Sequence, residues 1–212
     1  MLRHPAPRAI VLLWHGRGPN EAHVLHRLAA ALSADGHAAV TPNWDASTAD
    51  GGAAALRASL AQAAAIAAKH SLPLVLVGWS LGGTAALSLA LDPSRSHEVT
   101  AVVGLAADVR EQSPLDGTRP LVGVRRGLGT PSLHLVHGVQ DTVVPSGDAE
   151  EFARSCLAAG IPCALSLVDT DHAGVVGAEY DPAAGICRPS DGPAATRGVT
   201  SAIEAVREAT AG

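Results

Sequence analysis

Short apolar runs, separated by polar stretches with glycine and proline, recur from end to end of the chain. Residues 8–13, Arg-Ala-Ile-Val-Leu-Leu, predict a buried strand. The period then lengthens: Val24, Leu25, Leu28 and Leu32 share one face of a helix over 21–34, which Asp35-Gly36 closes with Gly36 as a left-handed cap. Residues 38–41 predict a second, short strand ended by Pro42, and 45–52 a polar loop. An alanine-rich helix over 53–70 follows, with Leu56, Leu60, Ala63 and Ala64 on its apolar side. Further strands are predicted at 74–77, 99–105, 132–136 and 164–168, with helices over 83–91, 146–159 and 196–209.

Strands alternating with helices imply a parallel sheet covered on both faces, with its binding crevice at the carboxyl ends of the strands. The expectation is a single-domain, three-layer α/β fold with a minimal, mainly parallel sheet of about six strands. Residues 107–130 and 178–195 show no regular pattern, and no internal repeat is present. Loops of that length inside a compact domain are either functional or surface excursions.

Composition narrows the picture. A length of 212 residues suits one well-buried domain, and 47% apolar with 17% charged residues describes a globular chain. Aromatics supply only 2%, so the core must be aliphatic. A net charge of -5 gives no reason to expect nucleic acid or an anionic membrane as partner. Residues 1–8 lack the apolar segment and cleavage site of a secretory signal, and no apolar run approaches the ~20 residues needed to span a bilayer. The three cysteines, Cys156, Cys163 and Cys187, have no metal-ligand spacing. They read as reduced thiols of a cytoplasmic protein, with a Cys156–Cys163 link as the one exception to check.

The chemistry centres on Gly78-Trp79-Ser80-Leu81-Gly82, placed between the strand at 74–77 and the helix at 83–91. Strand, Gly-x-Ser-x-Gly, helix is the pattern of a serine held on a strained turn with its hydroxyl exposed, where a side chain at either glycine would collide with a neighbouring element. A serine hydroxyl near pH 7 needs a base and a group to orient that base. His172 follows the sixth strand and Asp141 the fifth, so both fall on the edge that carries Ser80. The order Ser80, Asp141, His172 is the serine–acid–histidine order of one hydrolase fold. An oxyanion needs two N–H donors. Leu81 supplies one at the helix N-terminus, and the loop Trp14-His15-Gly16-Arg17-Gly18 offers Arg17 as the other, with Gly16 permitting the tight turn.

On these motifs the chain resembles the α/β-hydrolase fold superfamily over nearly all of 8–209. The resemblance rests on His15-Gly16, Gly78-Trp79-Ser80-Leu81-Gly82-Gly83, His137-Gly138-x-x-Asp141-x-x-Val144-Pro145, and His172. The Asp141 segment is similar to that of the dienelactone hydrolase-like, carboxylesterase and prolyl-oligopeptidase-like branches. The resemblance implies Ser80 as nucleophile, Asp141 as acid, His172 as base, and Leu81 and Arg17 as oxyanion hole. Dienelactone hydrolases carry cysteine where this chain has Ser80, so it does not extend to their particular reaction. The usual first two strands have no room before Arg8, and 107–130 is too short for a large lid, which favours small, soluble esters over long acyl chains.

Other readings of these residues are available. Asp108 ends the fourth strand and is an alternative acid; Asp169 and Asp171 adjoin His172 on short tethers, and one of them suits a local turn cap. The pairs His134/His137 and His23/His26 lack the complement of a metal site. Gly16-Arg17-Gly18 lacks the third glycine of a dinucleotide fingerprint, with Glu21 in its place. Trp79 either walls an acyl pocket, with Gly16 beside it, or packs beneath the site. The Arg17 guanidinium meets either a substrate carboxylate or solvent. The expected activity is hydrolysis of small-molecule carboxylic esters with no cofactor or metal. A thioesterase or peptidase with the same triad, and a non-catalytic ligand-binding protein, are the alternatives. Oligomeric state is not legible.

Overall fold

The computed structural model describes residues 6–127 and 129–211. Six strands form one sheet: β1 (Ile10–Trp14), β2 (Ala38–Val40), β3 (Leu74–Trp79), β4 (Ala101–Leu105), β5 (Ser132–Gly138) and β6 (Cys163–Val168). Their order is β2-β1-β3-β4-β5-β6 and every neighbouring pair is parallel. Between them run the helices α1 (His26–Ala34), α2 (Ala53–His70), α3 (Leu81–Leu91), α4 (Pro120–Gly123), α5 (Ser146–Ala159) and α6 (Pro193–Ala211).

Strand β1 shows why the sheet must be covered twice. All five of its residues are buried, with Ile10, Leu12 and Trp14 packed among α2, α3 and α5, and Val11 and Leu13 among α1 and α6. A parallel strand with both faces apolar is stable only between two helical layers. The scarcity of aromatics is met by Leu and Ala: Leu12, Leu56, Leu60, Leu76, Leu87 and Leu89 are essentially inaccessible. Trp14, the largest core side chain, satisfies its indole N–H by donating to Ser59 Oγ on α2 at 3.0 Å.

The strand order reverses between β1 and β3. From β1 the chain passes outward to β2, then returns to the other side of β1 as β3. The loops leaving the carboxyl ends of β1 and β3 therefore diverge, and a crevice opens between them. The register sets Trp14 opposite Gly78, so the Gly16–Arg17 loop and Ser80 leave the sheet at the same level.

Two segments differ from the sequence reading. The 178–195 stretch is not irregular: β7 (Ala178–Asp181) and β8 (Ile186–Pro189) form a separate antiparallel hairpin, and α6 starts at Pro193, where proline is tolerated in a first turn. The hairpin leaves no periodic signal because Tyr180 and Ile186 are exposed, so there is no apolar alternation to detect. Its turn is closed by Asp181 Oδ1, which accepts the Ala183 and Ala184 N–H groups, and by Gly185 at φ +68°. The 21–34 helix opens instead with a 3-10 turn over Ala22–Leu25, and Asn43 Oδ1 accepts the Ala22 N–H. The described residues of 107–130 hold only the four-residue α4. Residues 1–5, on which the leader reading rested, lie outside the described residues.

The packing is testable at two positions. Phe152 on α5 is fully buried, so Phe152→Ala is expected to cost about 3–5 kcal/mol of unfolding free energy. Val122, 80% exposed on α4, is expected to tolerate alanine within about 0.5 kcal/mol, both read by urea denaturation.

Candidate active site

Ser80 sits at the junction of β3 and α3 with φ 53° and ψ -121°, a conformation costly for a residue with a Cβ. Close packing holds it there. A Cβ at Gly78 would strike the backbone of Gly82 and Gly83, and one at Gly82 would strike the carbonyls of Trp14 and His15 at the end of β1. The turn is tied on both sides: Ser80 N–H donates to Leu105 O at 3.0 Å, and Thr84 N–H donates to Ser80 O at 3.0 Å. The Leu81 N–H at the start of α3 has no protein acceptor among the described residues, and neither has the Arg17 N–H.

Across the crevice, the loop after β1 is fixed by His15. Its imidazole is buried and stacks on Trp44 with ring centroids 5.3 Å apart. Nε2 accepts the Trp44 backbone N–H at 3.1 Å, so Nδ1 carries the proton and donates to Gly16 O at 2.9 Å. Burial pushes this imidazole down to about 4, so it is neutral at pH 7 and keeps that tautomer. Gly16 is buried against the Trp79 ring and close to Ser80 Cβ. The Arg17 side chain turns away to pair with Glu111 at 2.7 Å, largely exposed.

His172 and Asp141 meet at the carboxyl ends of β6 and β5. His172 Nδ1–H donates to Asp141 Oδ2 at 2.7 Å, so in the neutral ring the proton sits on Nδ1 and the Nε2 lone pair is free. The Asp141 side chain is fully buried and accepts further bonds from the Val143 and Val144 N–H groups on Oδ1, both at 2.8 Å, while His137 Nε2, which donates to Val144 O at 2.9 Å, lies 3.2 Å from Oδ2. Burial pushes this carboxyl up, but the nearby His137 ring and the hydrogen bonds from His172 and the Val144 N–H outweigh it and hold it well below the usual carboxylate range. The two loops are joined by Val139 N–H to Val168 O and Gln140 N–H to Thr170 O. They approach so closely that a Cβ at Gly138 would strike the Thr170 and Asp171 carbonyls. Trp79, only 4% exposed, lies beneath: its indole N–H donates to His172 O at 2.9 Å and its ring lies 5.5 Å from the imidazole. The tryptophan next to the serine thus supports the histidine and offers little surface of its own as a pocket wall.

The structure thereby brings Ser80, Trp79, His172, Asp141, Leu81, Gly16 and Arg17 to one rim. The rival residues have other partners. Asp108 Oδ1 caps the turn below it by accepting the Arg110 and Glu111 N–H groups. Asp171 Oδ1 accepts Gly174 N–H, and Asp169 pairs with Arg197. His134 lies against Glu208 on α6, apart from His137, so the two do not act as a pair. Sequence reasoning missed His15 as a loop clamp and His137 as an Asp141 partner. The only local signal was a histidine just before a glycine at a strand end. A cavity of about 390 Å3 opens within the 107–130 segment, lined by Gln112, Thr118, Arg119 and Val122. No helix among the described residues is long and apolar enough to cross a membrane.

No protein-family model matches the chain, and no curated protein matches it by sequence. Solved structures do match. Thermogutta terrifontis esterase 2 superposes with a TM-score of 0.71 at 18% identity, covering 96% of this chain and 84% of its own. The chain has the α/β-hydrolase fold. A candidate dienelactone hydrolase from Klebsiella pneumoniae gives 0.70 at 18% identity over 97% of this chain and 89% of its own. A truncated carbohydrate esterase from gut microbiota gives 0.67 at 15% identity over 99% and 88%. Within this α/β-hydrolase fold the sheet is reduced to six parallel strands, and the Ser80 turn, the Asp141 loop and the His172 loop share its carboxyl edge.

The buried groups predict how stability depends on pH. Unfolded His15 binds a proton below about 6.5, whereas native His15 stays neutral down to about 4. The unfolded state holds more protons in that window, so stability rises with pH from about 4 to about 6.5. Asp141 acts below it: its depressed native value contributes stability that is full above about 4 and is lost as pH falls further. Urea midpoints of His15→Asn should therefore vary less with pH between about 4 and 6.5 than wild type, and those of Asp141→Asn less below about 4. Unchanged slopes would contradict the assignment.

Proposed function

We propose that the chain is a serine hydrolase of small carboxylic esters. The observation that carries this reading is the 2.7 Å hydrogen bond from His172 Nδ1–H to buried Asp141, on the rim where Ser80 is strained. In the proposed reaction Ser80 Oγ attacks the ester carbonyl while His172 Nε2 takes its proton. Asp141 keeps the imidazole in the tautomer with Nε2 free and stabilises the imidazolium that forms. The oxyanion is received by the Leu81 and Arg17 N–H groups, the two donors left without protein acceptors on either side of the crevice. His172 then returns the proton to the departing alcohol. Water, deprotonated by His172, attacks the acyl–Ser80 ester; the acyl–oxygen bond breaks, the acid is released, and His172 returns the proton to Ser80 Oγ. No step calls for a cofactor or metal.

The structural relatives favour this chemistry over a binding role. Thermogutta terrifontis esterase 2 is an esterase with a propionate-bound structure, and it is phosphorylated by paraoxon. The short 107–130 segment, with only a four-residue helix among its described residues, fits small acyl groups rather than long chains.

Ser80→Ala is expected to fold normally and to lose measurable hydrolysis of p-nitrophenyl acetate. Asp141→Asn is expected to lower turnover by on the order of 10⁴-fold, by analogy with other triads. A loss under tenfold would move the acid elsewhere. Arg17→Ala keeps the backbone N–H and removes the guanidinium, so turnover on a neutral ester should stay within about threefold. A hundredfold loss would transfer the oxyanion contact from the amide to the guanidinium. Parallel assays with an acyl thioester and a peptidyl amide decide the leaving group.

A further inference from the structure

Strand β6 is one outer edge of the sheet, with β5 on its inner side. Leu133 N–H donates to Pro162 O and Val139 N–H to Val168 O, so the even-numbered residues of β6 aim their backbone groups at β5. The residues between them, Cys163, Leu165 and Leu167, aim theirs outward. None of these outward N–H and C=O groups has a protein partner among the described residues. Natural sheets blunt such edges with charges, with proline inside the strand, or by keeping the strand very short. The other edge, β2, is three residues long, whereas Cys163–Val168 runs for six with no charge and no proline.

Helix α5 runs alongside this edge. Its inner face, Phe152, Ala153 and Cys156, is buried, and the flank toward 107–130 carries Asp148 and Glu151, both held by Arg110. Helical spacing therefore puts Glu150, Arg154 and Leu157 on the flank beside the open edge. Glu150 and Arg154 pair at 3.5 Å, and Leu157 is 63% exposed. The Cys156 and Cys163 thiols are in hydrogen-bond contact, which sets helix and strand in register. Leu165 lies roughly 7 Å further along the strand, a rise of about four residues back along α5. That level falls midway between Glu150 and Arg154. Leu157 stands beside Cys163, at the other end of the outward row from the exposed Leu167.

We infer that β6 and the adjoining flank of α5 form the interface of a two-fold homodimer, with β6 antiparallel to β6 of a second copy and the axis at Leu165. The edge is complementary to itself under that operation. Leu165 pairs with the partner's Leu165 and Cys163 with the partner's Leu167, each pair exchanging both of its N–H···O bonds. The same axis carries Glu150 to the partner's Arg154 and Leu157 to the partner's Leu167, so opposite charges meet and exposed leucines cover one another. A two-fold contact of this kind closes, which uses up the edge and prevents further growth. The Ser80 crevice opens between β1 and β3, away from β6, so dimerisation does not rest on the proposed hydrolysis.

The test is sedimentation equilibrium of the full chain from about 1 to 500 μM, with a dimer dissociation constant of about 10 μM expected for an interface of this modest size. Hydrogen exchange at the Leu165 and Leu167 amides should slow as concentration rises. Leu167→Lys should weaken the dimer at least about tenfold while its urea midpoint at low concentration stays that of wild type. Arg154→Glu sets like charges against each other and should weaken it about tenfold, and the double exchange Glu150→Arg with Arg154→Glu should restore it. A chain monomeric throughout, larger open assemblies, a dimer indifferent to Leu167→Lys, no concentration dependence at the two amides, or no rescue by the double exchange would overturn the proposal.

Discussion

Everything at the rim that carries Ser80 depends on how closely α3 approaches the ends of β1 and β3. Only glycine at 78 and 82 lets the helix backbone descend onto the strand carbonyls, and that descent forces Ser80 into its positive-φ turn. The strain is local; the two hydrogen bonds tying the turn and the wholly buried α3 sustain it. One steric constraint thus exposes the serine hydroxyl, aims the first amide of α3 into the crevice, and sets the Gly16 loop alongside.

Around this turn, the polar groups are arranged so that each imidazole has one defined tautomer. His15 lies between a backbone N–H and a backbone carbonyl and stays neutral because it is buried. His172 donates to a carboxylate that is itself saturated by donors. The two histidines differ in their partners: carbonyl and amide for the one that shapes a loop, a buried carboxylate for the one read as the base. A carboxylate so thoroughly hydrogen-bonded stays ionised at pH 7 and can stabilise a neighbouring imidazolium.

Much of this was legible in the sequence because the informative residues follow strands directly. Ser80, Asp141 and His172 each stand just beyond a short apolar run, and in a parallel sheet such positions must share an edge. The helices over 53–70 and 146–159 were legible to the residue, since their apolar faces are continuous. The β7–β8 hairpin was not, because an exposed two-stranded ribbon has no buried face to impose alternation. Nor was the role of His15, which depends on Trp44 returning from a loop 29 residues away, or that of His137, set by the turn that carries Asp141 back onto it. Contacts made by chain reversal leave no periodic trace.

The central claim is that the strained Ser80 hydroxyl is activated by its neighbours across the rim. Treating the protein with paraoxon and mapping the adduct by peptide mass spectrometry tests it most directly. A single diethylphosphoryl group on Ser80, absent from His172→Ala under the same conditions, is the result expected. An unmodified Ser80, or modification that proceeds equally without His172, would contradict it.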